Sequence, residues 1–209
     1  MRTVGFPLGE DQLNPLGPRC ERVQFATYPF FASPTATDLE RLARFLQQYP
    51  DVALRVFGNP TTVTDLDFLR YFTFLRKFYC DVFELQSLDG LRFLPDDLKA
   101  LGIGLTRKEF SLKFITRFQK LEDLFIEGHS KNFDALEVLK NLKKLTLRSI
   151  TVPSLSPLAG LPELWWLDIK LGGTRNLEDL RRLRELKYLE LWRIRGLENL
   201  DPISDLTGL

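Results

Sequence analysis

From Leu75 onward the chain repeats one hydrophobic phrase. It reads Leu142-Lys-Lys-Leu145-Thr-Leu147, then Leu164-Trp-Trp-Leu167-Asp-Ile169, then Leu186-Lys-Tyr-Leu189-Glu-Leu191. The phrases open at Leu75, Leu98, Leu121, Leu142, Leu164 and Leu186, in steps of 23, 23, 21, 22 and 22 residues. The Leu-x-Leu alternation predicts a short strand with one buried face. Ahead of each opening, apolar residues recur three apart, as at Leu155, Leu158, Leu161 and at Leu177, Leu180, Leu183. That spacing predicts a short α- or 3₁₀-helix laying its leucines on the same core. Neither element buries its apolar side alone. Stacked copies do, which predicts an α/β solenoid whose strands form a parallel sheet on the concave face, with the helices on the convex face.

Residues 1 to 35 do not repeat. The aromatic stretch Arg22–Phe31 predicts a strand ending near Pro29. Thr37-Asp38-Leu39-Glu40 reads as a capping box, and Leu39, Leu42, Phe45 and Leu46 share one face of the helix it starts, which Pro50 stops. Val52–Phe57 predicts a second strand. The expected organisation is an N-terminal β-α-β cap over residues 1–61, covering the apolar end of the first repeat, followed by repeats over residues 62–209.

The phrase resembles the leucine-rich repeat family, nearest to the 22-residue bacterial internalin-like class. The resemblance covers about residues 62 to 209. It implies the solenoid fold and a binding role, but no particular partner. The family places Asn, or sometimes Cys or Thr, eight positions after the opening leucine. Here those positions hold Phe83, Thr106, His129, Ile150, Gly172 and Ile194. A continuous asparagine ladder is absent, so the turns are expected to close by apolar packing or backbone bonds.

Alternation that buries one set of residues exposes its neighbours in three rows across the sheet. The first row runs Lys77, Ala100, Asp123, Lys144, Trp166, Tyr188. The second runs Tyr79, Gly102, Phe125, Thr146, Asp168, Glu190. The third runs Asp81, Gly104, Glu127, Arg148, Lys170, Trp192. Exposed aromatics are costly to solubility, and Trp, Tyr and Arg dominate binding hot spots. The candidate partner-binding residues are therefore Phe125, Arg148, Trp166, Asp168, Lys170, Tyr188, Glu190 and Trp192. Cross-strand packing of Trp166 on Tyr188 is the competing reading.

The chain of 209 residues is 44% hydrophobic and 27% charged, with a net charge of +1. The four basic and five acidic residues of the three rows do not suit a polyanion, so nucleic acid is not an expected partner. No apolar run approaches the ~20 residues of a membrane span, and no signal peptide is legible. Two cysteines, Cys20 and Cys80, make no disulfide framework, and a reducing, cytoplasmic setting is expected. Cys80 falls at a core position and reads as a buried thiol. His129, the single histidine, reads as a turn residue, and one His with two distant Cys is too few for a zinc site. The Gly102-Ile-Gly104 pair lacks the rest of a phosphate-loop motif and reads as bare sheet. Arg181, Arg182, Arg184 and Lys187 read as a solvated face beside Glu178 and Glu185.

The expected function is protein–protein recognition through the concave sheet, without cofactor or metal. Recognition of a small molecule or glycan on the same patch is the alternative. An enzyme is not expected, Asp168 with Glu190 being the one acid–base candidate. The phrase breaks off at Leu209, and self-association through the C-terminal edge is a further expectation.

Overall fold

In a computed structural model, the protein is described over residues 1–28, 32–58 and 63–209. The chain forms two compact units, Met1–Lys108 and Glu109–Leu209. The expected end of the first strand at Pro29–Phe31, and the expected cap–repeat junction at 61/62, lie outside the described residues.

The first unit contains parallel strands β1 (Arg2–Val4), β2 (Arg22–Ala26), β3 (Ala53–Gly58), β4 (Lys77–Val82) and β5 (Ala100–Ile103), paired in that order. Helix α1 (Ala36–Leu46) connects β2 to β3, completing the β-α-β arrangement ahead of the first repeat. The three-residue β1 is too short for alternation to reveal. Helix α1 starts two residues before the expected box. Thr35 is the N-cap and accepts from the Asp38 N–H at 3.2 Å, while Asp38 accepts from the Thr35 N–H at 3.0 Å. Thr37 lies within the first turn. The Leu8 N–H also donates to Asp38, at 2.9 Å, so one carboxylate ties the N-terminal segment to the helix. An edge-to-face series runs from half-buried Phe6 through buried Phe25 to half-buried Phe68.

Gly102 and Gly104 are buried, not bare. A Cβ on Gly102 would lie 2.3 Å from the Tyr79 ring, and one on Gly104 would lie 2.5 Å from Asp81 Oδ1. The missing side chains make room for the neighbours on β4. Cys80 is a buried thiol, its pKa pushed up to about 12 by burial and by the adjacent Asp81 charge.

The second unit contains β6 (Asp123–Glu127), β7 (Lys144–Arg148), β8 (Trp166–Lys170) and β9 (Tyr188–Trp192), parallel and in register. Across both units, each repeat strand begins two residues after its opening leucine. The spacing by three resolves to 3₁₀ turns, among them Leu112–Arg117, Phe133–Val138, Glu178–Arg182 and Asp201–Asp205. Three residues per turn places every third side chain over the last, which an α-helix would not do.

The turns close as the departure from asparagine predicts. Gly173 N–H donates to the Ile150 carbonyl at 3.0 Å, and Arg195 N–H to the Gly172 carbonyl at 2.9 Å. Ile150 packs into the core. His129 is fully buried, and its Nδ1 accepts the Phe110 N–H at 3.2 Å, a backbone-tying role of the kind asparagine plays in the family. Residues Gly128, Ser149, Leu171 and Arg193, each seven positions after an opening leucine, share a left-handed φ between 53° and 75°.

Candidate functional site

Strands β7 and β8 turn their leucines inward. Leu145, Leu147, Leu167 and Ile169 are 4% exposed or less. Registers Lys144–Trp166–Tyr188, Thr146–Asp168–Glu190 and Arg148–Lys170–Trp192 bring the intervening side chains into three rows on the opposite face. Phe125 opposes Thr146 from β6, half-buried. The structure thus brings Trp166, Asp168, Lys170, Tyr188, Glu190 and Trp192 together on two adjacent strands. Arg148 stands one strand away and Phe125 two strands away from β8.

Trp166 and Tyr188 stack at 3.7 Å between ring centroids with planes 14° apart. Trp165 meets Trp166 edge-on at 5.8 Å, and Lys144 Nζ sits 5.1 and 5.5 Å from the two indoles. The stack is half-buried and held from several sides, so its orientation is fixed before any contact is made. Trp192 is 46% exposed and has Arg193 over its ring at 5.0 Å. Trp165 and Lys144 are the participants the sequence rows undervalued. Lys144 precedes Trp166 in its row, so the register itself was the signal.

A polar chain runs beside the rings. Lys170 Nζ lies 2.9 Å from Asp168 Oδ2 and 3.0 Å from Glu190 Oε1. The Tyr188 hydroxyl donates to Glu190 Oε2 at 2.8 Å. Arg148 pairs with Glu127 at 3.3 Å. Asp168 is 6% exposed, and its Oδ1 is buried without a hydrogen-bond partner. Burial pushes the Asp168 carboxyl above its ordinary value, against the pull of Lys170. The Tyr188 hydroxyl and Lys170 hold Glu190 below its ordinary value. The two carboxyls diverge, as an acid–base pair requires. Lys170 nevertheless bridges them, occupying the place a reacting atom would need.

Among the described residues, no three His, Cys, Asp or Glu side chains converge on a metal position. No helix there is long and apolar enough to cross a membrane. Arg181 is engaged with Glu178 at 2.7 Å and with Asp205, in keeping with a solvated ion-paired face.

No family model and no curated protein matches this chain. Solved structures do. Internalin C2 of Listeria monocytogenes aligns with 84% of this chain and 72% of its own, at 24% identity and a TM-score of 0.59. An internalin (inlF) of the same organism aligns with 90% of this chain and 63% of its own, at 15% identity and a TM-score of 0.59. A plant peptide hormone receptor, RGFR1, solved in complex with RGF2, aligns with 90% of this chain at 15% identity and a TM-score of 0.52. This chain spans 39% of that receptor's length, and less than two thirds of the inlF chain. At these identities the likeness is one of fold.

Proposed function

This chain has the leucine-rich-repeat fold in its internalin-like form, and we propose that it recognises a partner protein through the outward face of β6 to β9. The observation that carries the reading is the join between the Trp166–Tyr188 stack and the exposed Trp192, interleaved with the Asp168–Lys170–Glu190 chain. Rigid aromatics supply contact area at low entropic cost, and a mixed-charge border sets partner choice. A receptor of the same fold solved with its peptide hormone supports a polypeptide as ligand. Phe125 and Arg148 extend the patch across β6 and β7.

A sheet face whose polar side chains are bridged to one another favours a macromolecule over a small molecule or glycan, which needs an enclosing pocket. Catalysis is not part of the reading, because Lys170 holds both candidate carboxylates. Two free cysteines, one of them buried, support a reducing cytoplasmic setting.

The test is affinity capture from cells of the source organism with quantitative mass spectrometry, comparing the native protein with Trp192→Ala. A partner enriched by the first and depleted by the second supports the face. Partners captured equally by both overturn it.

Self-association through β9 is a second reading. Leu189 and Leu191 are half-exposed there, whereas their counterparts on β8 are buried. Light scattering that shows a monomer across a wide concentration range contradicts it.

A further inference from the structure

At the C-terminal ends of β7, β8 and β9, beside the partner face, a groove of about 680 Å³ is lined by Ser149, Thr151, Leu171, Arg193, Ile194 and Arg195. We propose that this groove binds a tetrahedral oxyanion, phosphate or sulfate, through Arg193, Arg195 and the hydroxyls of Ser149 and Thr151.

Three features of the fold build the groove. Ser149, Leu171 and Arg193 share a left-handed φ of 53° to 57°, so three successive strands turn out of the sheet in the same way. Parallel bridges then align Thr151 with Gly173 and Gly173 with Arg195. Gly173 stands in the middle of that row and carries no side chain. A Cβ there would crowd Thr151 at 3.1 Å, so the glycine keeps the space between Thr151 and Arg195 open.

The chemistry is one-sided. The lining residues include two arginines, a serine and a threonine and no acidic residue. Among the described residues, neither Arg193 nor Arg195 forms an ion pair, so both guanidiniums keep their charge uncompensated. On the same strands, Asp168 and Glu190 are held by Lys170. A protein of net charge +1 is not basic everywhere, so two unpaired guanidiniums in one groove form a local feature. Guanidinium forks with flanking hydroxyls match the oxygens of a tetrahedral anion, and an oxyanion can take several such donors at once. The Arg193 guanidinium carbon lies 5.0 Å from the Trp192 ring centroid, a contact that leaves its N–H donors free of any carboxylate.

The test is a ¹H–¹⁵N NMR titration at constant ionic strength with two probes, inorganic phosphate and N-acetyl-O-phosphoserine amide, and chloride as control. The expected result is saturable shifts at residues 149–151, 171–173 and 193–196. Arg195→Gln should weaken binding at least about tenfold, and Thr151→Val should weaken it less, with dispersed spectra confirming that both variants fold. Tighter binding of the phosphoserine probe identifies the ligand as a phosphoryl group on a larger molecule. Binding of inorganic phosphate alone identifies the free ion. Linear, non-saturating shifts, shifts spread over Arg182 and Arg184, or shifts unchanged in Arg195→Gln overturn the proposal. Neither variant lies in the three face rows, so failure here leaves the partner-face reading standing.

Discussion

At the scale of single residues, Asp168 is the side chain whose environment is least comfortable. It is buried, one carboxylate oxygen lacks a partner, and its pKa is raised by burial. A carboxyl whose folded pKa lies above its unfolded value contributes stability only in its protonated form. That contribution is complete below the unfolded value and is lost as pH rises through the folded value. Asp168→Asn is therefore predicted to melt no lower than the native protein at pH 7, while binding the partner more weakly. Thermal scans at pH 7 and pH 3.5 check the first part, because the difference should vanish at the lower pH. A clear fall in melting temperature at pH 7 would falsify it. Costly groups retained in a site are a mark of function competing with stability.

Gly172 shows the opposite economy. A Cβ at this position would lie 2.0 Å from the Ile150 carbonyl oxygen, which is backbone and cannot swing aside. Gly172→Ala is predicted to destabilise the protein by about 1–3 kcal/mol in urea unfolding. Gly160→Ala meets only the end of Lys140 and should change little. Sequence comparison with the repeat pattern marks Gly172 as a missing asparagine. It does not reveal that the neighbouring carbonyl occupies the space, because close backbone approach leaves no trace in hydrophobic periodicity.

At the scale of elements, two ties replace what the repeat pattern lacks. His129 accepts a backbone N–H inside the core, so His129→Leu removes that acceptor from the Phe110 N–H, at a cost of about 1–3 kcal/mol. Substitution by Asn, the family residue, should recover part of that loss in denaturant unfolding. Equal losses for Leu and Asn would show that ring volume matters and the hydrogen bond does not. In the cap, burial works to raise the Asp38 pKa. The Leu8 and Thr35 N–H groups, the Thr35 hydroxyl and Arg41 together hold it below its ordinary value. A depressed carboxyl contributes stability above its unfolded pKa and loses it as pH falls through the folded one. Asp38→Ala is predicted to lower stability by about 1 kcal/mol at neutral pH, with the deficit shrinking in acid.

The repeat strands were legible because each is stacked on its neighbours. Leucines that share a core must recur in step, and their recurrence gave every strand from β4 to β9. The cap was less so. Helix α1 appeared with its N-terminus two residues late, since Thr37-Asp38-Leu39-Glu40 and Thr35-Ala36-Thr37-Asp38 both fit the box pattern. Which threonine serves depends on the Leu8 contact, 30 residues distant. At the candidate site, the row arithmetic placed all eight residues correctly on strands. It could not foresee that Lys170 would join Asp168 to Glu190, because side-chain direction within a row is set by packing.

At the scale of the whole molecule, the outward sheet face of β6 to β9 carries rigid aromatics and a bridged ion chain. In a repeat scaffold the apolar positions are committed to stacking, so specificity is left to the residues between them. Trp166 and Trp192 differ in how far they serve both purposes. Trp166 is stacked on Tyr188 and braced by Trp165 and Lys144, so its loss is expected to affect packing and recognition together. Trp192 on β9 is 46% exposed and is no part of the buried core, so its removal should spare the fold. The most direct test is the dissociation constant for the captured partner, measured by calorimetry with native protein and Trp192→Ala, alongside their melting temperatures. The account predicts a loss of about 1–2 kcal/mol, roughly five- to thirtyfold in affinity, with the melting temperature unchanged. Native affinity in the Trp192→Ala variant would contradict it.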